Sequence, residues 1–136
     1  MRVQVRCAGS LLVALLAAAP AAWGAVVRSP DGRIAVTVDV DKDGLPQYSA
    51  SYRGVEVMPA GKLGLRFQSQ PAMDAGFRVA GTATASHDAT WEQPWGERRF
   101  VRDHHHELRI DFESITSVAR RFSLRVRVFD DGFGFR

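Results

Sequence analysis

Two stretches hold most of the side chains able to do chemistry. The first is Trp91-Glu92-Gln93-Pro94-Trp95-Gly96-Glu97. The second, shortly after it, is Arg102-Asp103-His104-His105-His106-Glu107-Leu108. Indole faces stack on the apolar C–H faces of a pyranose, while carboxylates and guanidinium groups hydrogen-bond its hydroxyls. The two Trp residues and their charged neighbours therefore have the chemistry of a sugar platform. The competing reading is that the indoles are core anchors, because large aromatics are usually buried. Sequence alone leaves both open.

The three consecutive histidines invite a metal. On a strand, His104 and His106 share one face and His105 takes the other. An H-x-H pair with a carboxylate can hold zinc or another transition metal. Asp88, Glu92 and Asp103 are the available third ligands, and no spacing selects among them. The plainer reading is a polar strand start with one buried, hydrogen-bonded histidine. Hydrolysis of a glycosidic bond needs two carboxyl groups at a fixed separation. Glu92, Glu97, Asp103 and Glu107 are present, but nothing fixes any two of them. Asp130-Asp131 belongs to a turn. A Ser nucleophile elbow, a Gly-rich phosphate loop and a Cys–His pair are all missing from the sequence.

The elements that must carry these residues are strands. Apolar and polar residues alternate with period two over Ile34–Val40, Leu63–Phe67, Leu108–Glu113 and Phe122–Val128. Each such run has one apolar and one polar face, as in an antiparallel sheet with one wet side. Turn residues separate them: Ser29-Pro30-Asp31-Gly32, Asp41-Lys42-Asp43-Gly44, Arg53-Gly54 and Asp130-Asp131-Gly132. Arg53-Gly54 predicts a hairpin between Tyr48–Tyr52 and Val55–Val57. Between Gln68 and Trp95 the pattern weakens; Phe77-Arg78-Val79 reads as one short strand and the rest as edge strand and loop. The fold class predicted is all-β, an antiparallel β-sandwich. After Gly132 the chain has a return strand barely begun, so an incomplete sandwich is expected.

The N-terminus reads as an export signal. Arg2 and Arg6 precede an apolar run from Leu11 to Ala19, Pro20 breaks it, and Ala22-Trp23-Gly24 offers small residues before Ala25. The run is too short to span a bilayer, which takes about 20 residues. The domain reading is thus residues 1–24 as signal peptide and 25–136 as sandwich, periplasmic or secreted, with no membrane association after cleavage. Cys7, the one cysteine, falls within the signal, so the remainder can form no disulfide. Arg2 and Arg6 also supply two of the +3 net charges. No basic block longer than Arg98-Arg99 or Arg120-Arg121 remains, so nothing points to nucleic acid.

Five segments in order resemble the N-terminal domain of glycoside hydrolase family 97. Ser29-Pro30-Asp31-Gly32-Arg33-Ile34 is similar to its S-P-D-G-K-I, and Leu63-Gly64-Leu65 to its L-G-L. The Trp91–Glu97 stretch resembles W-x-P-V-W-G-E, and Arg102–Leu108 resembles R-N-H-Y-N-E-L. Arg127–Arg136 resembles R-V-Y-D-D-G-V-A-F-R. Asp103, His105 and His106 depart from the fourth pattern, which puts any sugar contacts of those positions in doubt.

The resemblance implies a sandwich akin to that of galactose mutarotase, packed on a (β/α)8 barrel that carries the catalytic carboxylates. It implies an exo-acting α-glucosidase or α-galactosidase, with calcium near the site of the full-length enzyme. No cofactor is expected in this chain, and the sandwich's calcium ligand is expected beyond Arg136. With no barrel, the chain alone is expected to be inactive. Its partners would be carbohydrate and the barrel of the same protein. Trp95, Glu97, Arg102, His104, His106 and Glu107 become the candidates to face sugar. Two other readings stand beside this one: a stand-alone secreted carbohydrate-binding or adhesive module, and a small metal protein built on His104 and His106.

Overall fold

The computed structural model describes residues 24–136; the segment expected to be an export signal, residues 1–24, lies outside them apart from Gly24. These residues form eight strands: β1 (Gly24–Arg28), β2 (Ile34–Val40), β3 (Pro46–Tyr52), β4 (Val55–Lys62), β5 (Phe77–Glu92), β6 (Phe100–Ser114), β7 (Arg121–Val128) and β8 (Phe133–Phe135). They make two four-stranded antiparallel sheets, β1-β2-β3-β4 and β5-β6-β7-β8, each in chain order. Among the described residues there is no helix. The all-β sandwich expected from the alternation is the architecture found.

The core forms where the apolar faces meet. Val27, Val36, Val38 and Ala50 come from the first sheet; Phe77, Leu108, Ile110, Phe112, Leu124, Val126 and Val128 come from the second. Phe122 stacks on Phe112 and meets Phe77 edge-on. β1 lies over β6 and β7. The period-two pattern is thus the direct record of one face turned inward.

The turns do more than reverse the chain. Ser29 is buried, and Gly32 N donates to its carbonyl at 2.8 Å. Its hydroxyl donates to Asp31 Oδ1 at 2.6 Å and accepts from Ile34 N at 3.0 Å. Asp31 N then donates to Asp130 Oδ1 at 2.8 Å. The β1–β2 turn and the β7–β8 turn are therefore clasped across the two sheets. At the far end, Phe77 N donates to Gly44 O at 2.9 Å and Gly76 N to Asp43 O at 3.1 Å. The Arg53-Gly54 hairpin forms as expected, with both residues at positive φ (51° and 81°).

Two sequence expectations need correction, and one strand, β1, has no alternation long enough to announce it. Leu63–Phe67 is not a strand; only the isolated bridge Leu65–Met73 forms there. Between Gln68 and Trp95 the expected edge strand is present, but it is not the short Phe77–Val79: it is β5, sixteen residues long. Its middle, Gly81-Thr82-Ala83-Thr84-Ala85-Ser86, is small and mostly exposed, so no large apolar residues advertise a face.

Candidate functional site

β5 and β6 pair over their whole length, from Phe77–Ser114 to Glu92–Phe100. β7 pairs with β6 only up to His106–Val128. Past that point His87–Glu92 and Phe100–His105 continue as a two-stranded ribbon, about 20 Å long at the rise of a strand. Gln93–Arg99 closes its tip, with Gln93 N donating to Arg99 O at 2.9 Å and Gln93 Nε2 to Arg98 O at 2.7 Å. A shallow depression of about 400 Å³ opens here, lined by Glu92, Gln93, Pro94, Gly96, Glu97 and Arg99.

The indoles are not core anchors. Trp91 is 52% and Trp95 76% exposed, and Phe100 beside them is 60% exposed. Trp95 and Glu97 lie in the tip loop.

The ribbon has two unlike faces, fixed by strand alternation. One continues the outer face of the second sheet and carries His87, Ala89, Trp91, Val101, Asp103 and His105. The other continues the face that is core farther along, and carries Asp88, Thr90, Glu92, Phe100, Arg102 and His104. On that second face Arg102 makes two parallel hydrogen bonds to Asp88, Nε to Oδ1 at 2.8 Å and Nη2 to Oδ2 at 2.7 Å. The guanidinium holds the Asp88 carboxyl below the usual carboxylate range. Arg99 Nε pairs with Glu92 Oε1 at 2.7 Å, and its guanidinium sits 5.4 Å from the Phe100 ring centre.

The three histidines go three ways. His104 is half-buried on the Arg102 face. His106 donates from Nδ1 to the Arg28 carbonyl at 2.9 Å, tying the ribbon base to β1. His105 is 4% exposed on the opposite face, with Nδ1 2.5 Å from Asp103 Oδ1. Its ring packs between His87 and Phe129, with centroids at 5.2 and 5.0 Å. One buried, hydrogen-bonded histidine was the plainer sequence reading, and His105 is that residue. The family departures at Asp103 and His105 are two positions apart on one face and satisfy each other.

Glu107 shares the His105 face, away from Arg102 and His104. Arg125 Nη1 and Arg127 Nε each donate to it at 2.7 Å. Arg127 and then Arg125 lower its carboxyl from the ordinary range. Both oxygens are engaged, so Glu107 serves as a cross-strand bridge between β6 and β7. The sequence-derived group therefore divides. Trp95 and Glu97 form the tip, Arg102 and His104 share the adjoining face, and His106 and Glu107 brace the base. Asp88, which pairs with Arg102, and Phe100 belong beside this group but were not singled out from the sequence. Asp88 sits in the small-residue β5, and Phe100 between the two recognisable stretches.

Calcium takes six to eight oxygen ligands. Among the described residues no three His, Asp or Glu side chains converge where a metal ion could bind. The described residues supply no third side-chain ligand for the His104/His106 pair.

Residues 27–136 match the family described as Glycosyl-hydrolase 97 N-terminal. A glycoside hydrolase family 97 enzyme from Pseudoalteromonas sp. strain K8, solved in complex with panose, superposes with TM-score 0.76 at 33% identity. The match covers 82% of this chain and 17% of that one. The same enzyme in complex with acarbose gives the same values. A β-arabinopyranosidase shares the fold at TM-score 0.68 and 23% identity, over 78% of this chain and 16% of its own. The chain thus spans about a sixth of the length of these enzymes.

Proposed function

The chain belongs to glycoside hydrolase family 97, as its N-terminal domain, and from that premise we propose that the ribbon forms part of a sugar-binding wall. The protein is exported to the periplasm and acts on the non-reducing ends of α-glucosides or α-galactosides. The sandwich packs against a (β/α)8 barrel, which supplies the carboxylates that break the bond and, with calcium, the catalytic centre. In such barrels these groups stand at the C-terminal ends of the strands. Trp95, Glu97, Arg102 and His104 contribute stacking and hydrogen bonding; this chain alone performs no hydrolysis.

One observation carries this reading. Trp95, the most exposed large apolar side chain of the described residues, stands at the tip of a projecting ribbon among charged groups. An exposed indole with polar neighbours suits a sugar face. The complexes of the Pseudoalteromonas enzyme with panose and acarbose make these the natural probes.

Calorimetric titration of the full-length protein with panose tests the reading. Trp95→Ala should weaken binding by about tenfold, the order of a lost aromatic contact, while the melting midpoint stays put. Equal binding by both proteins would remove Trp95 from the site. Failure of the unaltered protein to bind panose, acarbose or an α-galactoside would defeat the reading as a whole. Equally tight binding by the 136-residue chain alone would favour the stand-alone module.

A further inference from the structure

We propose that the polar face of the ribbon is a subsite for a neutral pyranose, with Phe100 as its stacking platform and the Arg102–Asp88 pair reading two neighbouring hydroxyls. The proposal rests on the sugar-binding reading above and narrows it to one face and one class of ring.

Geometry selects the face. Phe100 and Arg102 are two residues apart on β6 and point the same way, about 7 Å apart along the strand. A ring lying on Phe100 therefore brings its edge hydroxyls toward Arg102. Phe100 is 60% exposed; the Arg99 guanidinium lies over its ring, 5.4 Å from the centre, so a sugar takes the ring face turned away from Arg99. The opposite face offers Trp91 and Val101 for stacking but carries no guanidinium: its one carboxylate, Asp103, is held by the buried His105, with His87 Nε2 3.7 Å from the same group.

Chemistry selects the ligand. Asp88 claims Nε and one N–H of Nη2. The Nη1 hydrogens and the second on Nη2 remain to donate, and the fork is fixed in orientation by the bidentate bond. The carboxylate oxygens keep lone pairs that can accept from a hydroxyl. A rigid donor set beside an acceptor suits a vicinal diol, whose hydroxyls both give and receive. The cations of this face are also matched: Arg102 by Asp88 and Arg99 by Glu92. A compensated guanidinium has little to offer an anion, so a neutral sugar is favoured over a uronate. Asp88 thus has two parts here: it accepts from a hydroxyl, and it aims and neutralises Arg102.

The test uses the full-length protein titrated with panose and, separately, with glucuronic acid. Phe100→Ala and Asp88→Asn should each weaken panose binding by about tenfold, whereas Trp91→Ala, on the other face, should leave it within about twofold. Asp88→Asn should also raise the affinity for glucuronate, because Arg102 is then uncompensated. A merely structural Asp88 would not produce that opposite sign. Melting midpoints of the exposed-site variants should match the unaltered protein. Panose binding unchanged in Phe100→Ala and Asp88→Asn, while Trp95→Ala weakens it, would overturn the subsite and leave the wider reading intact. A loss for both ligands in Asp88→Asn, or a loss in Trp91→Ala equal to that in Phe100→Ala, would overturn it as well. An unaltered protein that binds no neutral sugar would remove both proposals together.

Discussion

Asp31 shows how much of a recognisable sequence pattern can be structural. Its carboxylate accepts from the Ser29 hydroxyl and from Arg33 N, and pairs with Arg33 Nε. These contacts, the Ser29 bond first, lower its pKa from 3.8 to about 2. The group binds its proton less readily folded than unfolded. It therefore stabilises the fold above about pH 3.8, and this contribution is lost as the pH falls through about 2. Asp31→Asn should flatten the acid limb of the stability–pH curve between those values and change its shape little at neutral pH. Urea midpoints taken every half unit would check it; an unchanged acid limb would mean that the turn draws nothing from the charge. The same turn clasps Asp130, so two of the five family-like segments meet in one contact. Their recurrence needs no ligand to explain it.

At the scale of elements, the ribbon differs from the sheets it grows from. A two-stranded ribbon is marginal in water on its own. Past His106 it has no third strand and buries little besides His105. Its base is held by His106 to Arg28 O, Glu107 to two arginines, and His105 against Phe129. Backbone amides of Thr90–Glu92 and Phe100–Arg102 should therefore exchange at least about tenfold faster than those of Leu108–Phe112, since low-stability segments open locally. Equal protection along β6, read by mass spectrometry or NMR, would show the ribbon to be as rigid as the core. The same contrast explains what the sequence disclosed. Where a face is buried, as at Leu108, Ile110 and Phe112, alternation gave the strand and its inward side directly. β5 is an exposed edge of Ala, Thr and Gly, so its length was illegible. Leu63, Leu65 and Phe67 alternate yet form only the isolated bridge Leu65–Met73, because periodicity records a preference for burial and not the presence of a partner strand. Trp95, Glu97, Arg102 and His104 were legible by type and Phe100 and Asp88 were not; the division between ribbon faces depended on the β5–β6 register, which no single strand pattern contains.

For the molecule as a whole, the question is whether the two sheets hold as one unit, since the connection from β4 to β5 is long and carries only the bridge Leu65–Met73. Besides the shared core, backbone contacts in the turns lock the sheets. Gly44 is the tightest of them. It has φ +74°, and a Cβ placed there would meet Phe77 N at 2.6 Å and Gly76 Cα at 2.9 Å. Those are backbone atoms at the entry to β5, the second sheet's first strand, which cannot rotate away as a side chain can. Gly44→Ala should therefore destabilise by about 2 kcal/mol or more, combining a left-handed backbone with an enforced separation. Gly54 is the control. Its φ is +81°, but nothing lies within 4 Å of its added Cβ, so Gly54→Ala should cost only about 1 kcal/mol from backbone strain. If the sheets are one cooperative unit, Gly44→Ala should also weaken amide protection in β2 and in β6 by the same amount. Loss confined to β2 and β3 would show that the second sheet, with the ribbon, stands without the first. That outcome would relocate the support of the sugar-facing surface to the β6–β7 charge bridges and the His105–Phe129 contact.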